Sequence, residues 1–182
     1  MPKILRRTQF GNPILRQKTR ELSAQEIVGK DIQELLANMR YTLEKKRYGV
    51  GLAATQVGYR VAVSLISIKP TPSRPDSEKF ELVIINPKIT KTYGTKEPMW
   101  EGCISFGGTK DFPYAQVPRY KKVRLRYYDE TGALREKDFE GLSSHVIQHE
   151  VDHLNGVLFV DRVEDTTTYV TVAEYRKRYA KR

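Results

Sequence analysis

Between Ser23 and Gly49 the apolar residues Ile32, Leu35, Leu36, Met39 and Leu43 recur three or four positions apart, the spacing that lines one face of an α-helix. Ser23 and Glu26 form a capping-box pattern at its start, and Gly49 offers a C-terminal stop, so one helix is expected between them. The period then changes. After the small, glycine-flanked stretch VGLAATQVG, the segments RVAVSLISI, LVIINP and KITKTYG read as strands, the last two meeting at a turn around Asn86 and Pro87. KPTPSRPDSEKF, between the first and second of these, reads as a proline-rich loop. Alternation through Val123, Leu125 and Tyr127, followed by Asp129 to Gly132, predicts a hairpin. Helical spacing returns around Val146, Ile147, Val151 and Leu154, with Ser143 as the expected cap, and a last helix is expected over about 165–181. Helix, then strands, then helix predicts an α+β fold with a mostly antiparallel sheet.

A chain of 182 residues with 39% hydrophobic positions can bury a proper core, and a single domain over 1–182 is expected. No apolar run is long enough to span a membrane, and the N-terminal stretch MPKILRRTQFGNPILR lacks a signal-peptide core, so a cytoplasmic protein is expected. The one cysteine, Cys103, excludes an internal disulfide. The net charge of +10 suggests a polyanionic neighbour. Part of that charge is concentrated in the terminal EYRKRYAKR, which reads either as such a contact or as a solvated helix end complementing its macrodipole.

All three histidines fall in HVIQHEVDHLNG, residues 145–156. On a helix His149 and His153 share a face, with Cβ atoms roughly 5–6 Å apart. His145 sits roughly 12 Å along the axis from His153 and cannot join them on one ion. HEVDH matches HExxH, in which two histidines bind a metal and the glutamate acts as general base on metal-bound water. The plain alternative is a set of surface or packing residues. A catalytic centre of this kind needs a third protein ligand and an open position. Cys103, between glycines in WEGCISFGG, is the candidate; a buried hydrophobe or a nucleophile are the other readings of a lone cysteine.

GVGLAATQ (49–56), EGCIS (101–105) and QHEVDH (148–153), together with FGNPILR (10–16), closely resemble the motifs of the peptide deformylase family, in the same order. The resemblance covers nearly the whole chain. It implies an α+β fold with mostly antiparallel sheets packed around a central metal-binding HExxH helix, with an N-terminal and a C-terminal helix. It implies removal of the N-formyl group from N-formylmethionine on newly synthesised polypeptides by a metallohydrolase, with Cys103, His149 and His153 as metal ligands. Glu150 would be the general acid/base, and the Gln56 side chain and the Ile104 backbone N–H the oxyanion donors. The implied metal is Fe²⁺, with Ni²⁺, Co²⁺ or Zn²⁺ as substitutes. Gly49, Val50 and Gly51 would lie along an extended N-formylmethionyl peptide. Val50, Met99, Leu142, His145 and Val146 would form the methionine pocket, with Arg119 near the substrate backbone. A monomer is expected, and the basic C-terminal helix would dock on the ribosome without affecting cleavage of a free tripeptide.

Some positions depart from the family pattern. Ile104 stands where leucine is usual, Tyr48 where an acidic residue is frequent, and the segment from 106 to 118 is longer than usual, which bears on substrate preference. Two other readings compete: a metallopeptidase or deacylase for another small acyl amide, and a metal-stabilised binding module on the ribosome or RNA. Glu150 and Gln56 discriminate, because a purely structural site has no use for a general base or an oxyanion donor.

Overall fold

The computed structural model describes residues 1–46, 49–71, 77–107 and 112–179. Tyr48, part of the proline-rich loop and part of the segment from 106 to 118 lie outside the described residues. The capping box forms as expected: Ser23 Oγ accepts from the Glu26 N–H at 3.3 Å, while the Glu26 carboxylate accepts from the Ser23 N–H at 2.8 Å. It caps a single turn, however, α1 (Ala24–Ile27), and a second helix, α2 (Lys30–Lys46), begins after Gly29. The apolar face predicted for α2 is buried, packing Leu36, Met39 and Leu43 in a cluster with Leu52, Leu65 and Ile85 of the sheet.

The sheet has strands β1 (Gly51–Ala53), β2 (Val63–Ile68), β3 (Phe80–Gly102), β4 (Pro113–Tyr128), β5 (Leu134–Glu140) and β6 (Val170–Thr171). They pair antiparallel in the order β1-β2-β3-β4-β5, with β6 added to β4. The expected turn at Asn86 and Pro87 is instead a kink inside the long strand β3, with a register shift between Ile85 and Lys88. Asn86 adopts φ 49°, a conformation asparagine tolerates better than most residues. Its amide exchanges two hydrogen bonds with the Leu22 backbone, at 2.9 and 2.7 Å, which fixes the kink against the N-terminal segment. The hairpin turn at Asp129 to Gly132 is as expected: Asp129 Oδ1 accepts from the N–H groups of Thr131 and Ala133.

α3 (Leu142–Leu154) packs across the sheet, with Val146, Ile147 and Val151 against Ile66, Ile84, Val123 and Leu125. Burying a side chain the size of Ile147 contributes about 1.5–3 kcal/mol. A polar clamp fixes the helix axially. The Gln148 amide accepts from the Tyr120 N–H at 3.1 Å and donates to the Tyr120 carbonyl at 2.8 Å, engaging both backbone groups of that residue on β4. The cap is not Ser143, whose hydroxyl donates to the Glu140 carbonyl; Gly141, at φ 61°, occupies the N-cap without a side-chain bond.

The C-terminal helix is shorter than expected. Asp165 caps a separate 3-10 turn, Thr166–Thr168, and β6 follows. Only then does α4 (Val172–Arg178) begin, capped by Thr171. A run of three threonines is a weak helix former, and the two capping residues each start a new element.

Candidate active site

Cys103 leaves the end of β3, while His149 and His153 stand one turn apart on α3, so strand and helix bring the three together. Their ligand atoms all lie within 4.8 Å of one another. Cys103 Sγ is 3.3 Å from His153 Nε2, and the two imidazole centroids are 4.8 Å apart. Among the described residues no further histidine, cysteine or carboxylate joins this group, so an ion held here would take three ligands from the protein. Burial pushes the Cys103 thiol up, but the adjacent His153 charge and hydrogen bonds from His149 and His153 outweigh it and bring the thiol down to about 5. A thiol already disposed to ionise, facing two imidazoles, is a donor set that fits a soft or borderline divalent ion.

A chain of charges, buried as far as Asp152, orients the His149 ring. Glu101 Oε2 lies 2.9 Å from His149 Nδ1, which turns the other ring nitrogen of His149 to the cysteine side, and Glu101 Oε1 lies 2.8 Å from His145 Nε2. Arg119 grips the same carboxylate with two nitrogens, at 2.6 and 3.1 Å, and reaches Asp152 with a third at 2.6 Å. Arg162 closes the chain on Asp152 at 2.8 Å. Burial alone would raise Glu101. Hydrogen bonds from His145, His149 and Arg119, with the His149 charge, instead hold it well below the usual carboxylate range. Burial likewise works against the His149 cation, yet Cys103 and Glu101 raise it well above its ordinary value.

Glu150 is 2% exposed, and its Oε2 has no hydrogen-bond partner within the protein. Burial lifts its carboxyl to about 7, against the opposing pull of the His149 and His153 charges. A buried carboxylate oxygen left unpaired is costly, so it is set for a group that enters the site. Gly51 makes room for it: a Cβ on that residue would lie 2.1 Å from Glu150 Oε1.

Gln56 has its amide oriented by the Ala53 N–H, which donates to Oε1 at 2.9 Å. The amide nitrogen consequently faces Cys103 Sγ and Ser105 Oγ, both at 3.3 Å. Ile104 opens the 3-10 turn Ile104–Phe106, where a backbone N–H has no partner within its own turn.

Gln56, Glu101, Cys103, Ile104, His149 and Glu150 line one cleft of about 920 Å³. Gly49, Val50, Gly51, Leu142, His145 and Val146, expected along the substrate, all border it. Two expected residues do not. Met99 is replaced at the wall by its neighbour Trp100, and Arg119, 4% exposed, is held between Glu101 and Asp152 instead of facing the cleft. Sequence reasoning missed Glu101 and Asp152, although each is a charged residue beside a ligand, in EGC and EVDH. It also missed Trp100, Tyr114, Tyr175 and Tyr179, which line the cleft from β3, β4 and the C-terminal segment. Their spacing along the chain carries no signal that these four converge.

Residues 4–169 match a sequence profile of the polypeptide deformylase family. "Peptide deformylase 2" of Nostoc sp. is 34% identical over 181 residues, covering 99% of this chain and 97% of the relative. A peptide deformylase of Aquifex aeolicus is 34% identical over 168 residues, 92% of each chain. Among solved structures, the Met-Ala-Ser-bound class I type b peptide deformylase of Acinetobacter baumannii superposes with a TM-score of 0.82 at 32% identity, covering 90% of this chain and 100% of that one. The Synechococcus elongatus peptide deformylase in complex with actinonin gives 0.76 at 35% identity, covering 96% and 85%.

Proposed function

The chain belongs to the polypeptide deformylase family, hydrolases that remove the N-formyl group from new polypeptides, and from that premise we propose how its own residues carry out the reaction. Cys103, His149 and His153 would hold one divalent ion, Fe²⁺ as the working metal, with Ni²⁺, Co²⁺ or Zn²⁺ able to replace it. When bound, the ion supplies Lewis acidity, making water a nucleophile at neutral pH and polarising the formyl carbonyl.

Glu150 moves the protons. Its carboxylate takes one from the attacking water as oxygen adds to the formyl carbon, and delivers it to the methionine nitrogen as the C–N bond breaks, leaving formate and a free amine. Burial favours its protonated form, which disposes it to hold the proton between the two transfers. The Gln56 amide N–H and the Ile104 N–H donate to the charge that develops on the formyl oxygen. Glu101 fixes the ring of His149, and Arg119, through Glu101, positions that carboxylate and touches no substrate.

β1 is an edge strand, and its cleft-lining Gly51 follows Val50, so an extended N-formylmethionyl peptide can add beside it with backbone bonds. Val50, Leu142, His145 and Val146 surround the methionine side chain. The A. baumannii relative holds Met-Ala-Ser, a chain with a free methionine amine of the kind this reaction would release. The three hydrophobic clusters, which join residues from Leu5 to Tyr169, support one catalytic domain over 1–182, which we read as working as a monomer. No helix among the described residues is long and apolar enough to cross a membrane, and exposed Lys177 and Arg178 support docking on the ribosome from the cytoplasmic side.

One observation carries this reading: a carboxylate oxygen without a partner stands beside three converging ligand atoms. Metal-loaded protein should release formate from formyl-Met-Ala-Ser. Full metal occupancy without release would overturn it.

A further inference from the structure

One wall of the cleft belongs to the C-terminal segment. β6 extends β4 through Val170 and Thr171, paired with Tyr114 and Pro113, and the Val172 N–H donates to the Phe112 carbonyl at 3.1 Å. Aromatic contacts then hold α4 down. Tyr175 stacks on Tyr114, with centroids 4.3 Å apart and planes 8° from parallel, and Trp100 packs on Tyr175 at 5.4 Å and on Tyr179 at 4.5 Å. Gly102 leaves space for this packing, because a Cβ there would lie 2.6 Å from the Tyr114 ring. Tyr175, Arg176 and Tyr179 consequently line the same cavity as Cys103, His149 and Glu150.

The last turn of α4 carries Arg176, Lys177 and Arg178. Arg178 is engaged by Glu174 at 2.8 Å. Arg176 is the one of the three that lines the cleft, and among the described residues its guanidinium has neither an ion pair nor a hydrogen bond. A guanidinium set beside aromatic rings on a peptide-binding wall is a receptor for a carboxylate. A substrate whose formyl end reaches Glu150 must lead its following residues out through the rest of this cavity.

We propose that Tyr175, Arg176 and Tyr179 form a subsite for the substrate residues after the methionine, and that Arg176 favours an acidic side chain there. This rests on the deformylase reading. It also gives the C-terminal segment a part in cleaving free peptides, which its reading as a ribosome tail alone did not.

The test uses the metal-loaded full chain and two peptide series, formyl-Met-Xaa-Ser and formyl-Met-Ala-Xaa, where Xaa is Glu, Gln or Lys. All are amidated at the C-terminus, so that only a side chain can supply the carboxylate. At low ionic strength kcat/KM should favour Glu over Lys by about fivefold in at least one series, carried by KM and shrinking as salt is added. Arg176→Gln should bring that ratio to about one, and Arg176→Glu should reverse it, whereas Lys177→Gln should keep it. Turnover of the Gln peptides by each variant reports its folding. An unchanged ratio in Arg176→Gln, or equal loss in Arg176→Gln and Lys177→Gln, would overturn the subsite. Absence of formate from every peptide would strike the deformylase reading itself, and the subsite with it.

Discussion

Glu101 Oε2 stands 2.9 Å from His149 Nδ1, so the strand that leads into Cys103 also orients an imidazole on α3. Removing this carboxylate frees the ring of His149 and leaves Arg119 buried against Asp152 alone. Glu101→Ala should weaken metal affinity by about 10–100-fold. It should also destabilise the fold by about 3–5 kcal/mol, the cost of breaking a buried pair from one side. Metal titration and urea unfolding of the same preparation check both, and wild-type values in either would count against the linkage.

Gly51→Ala separates folding from chemistry. The new Cβ would displace the carboxylate end of Glu150, which is flexible, so stability should stay within about 1–2 kcal/mol of wild type. A catalytic group moved by about 1 Å loses about 100-fold in rate. Formate release should fall on that scale while thermal unfolding barely moves; full activity in the variant would show that Glu150 does not depend on this close approach.

Chain entry into α1 should be acid-sensitive. A hydrogen bond from Arg20, with the Ser23 backbone and side chain, lowers the Glu26 carboxyl from 4.5 to about 2. Because the folded value is the lower one, its contribution is full above about 4.5 and fades as pH falls toward about 2. The difference in urea midpoint between wild type and Glu26→Gln should therefore shrink from pH 7 to pH 3, and a constant difference would contradict the pairing.

The iron-loaded form should lose activity in air, because oxidation of Cys103 would remove one of the three proposed ligands. Nickel loading should prevent the loss. Intact-mass measurement checks it directly: added oxygen should map to Cys103 in the inactivated iron protein and be missing from the nickel protein.

Much of the site was legible because its signals are local. HExxH places two candidate ligands and a candidate base within about one helical turn, and a lone cysteine flanked by glycine is the third candidate, and the fold brings the three ligand candidates together. The hairpin at Asp129 was equally local, since its turn bonds are made by the turn's own residues. What escaped depends on distant partners. Asn86 reads as a turn residue, but its bonds to Leu22 make it a kink within one strand. Gly29 divides what periodicity joins. Arg119 was expected near the substrate backbone, and only the pairing of β3 with β4 and the packing of α3 on the sheet bring Glu101 and Asp152 onto it from two other places in the chain. The C-terminal helix was overextended for the same reason: β6 forms on β4, a partner that spacing does not reveal.

The measurement closest to the centre of this account is formate release by Glu150→Gln against wild type, with metal content determined on both. One ion per chain in each protein, together with a fall in kcat of about 100- to 10,000-fold in the variant, is the predicted result. A metal-replete Glu150→Gln protein that releases formate at the wild-type rate would contradict it.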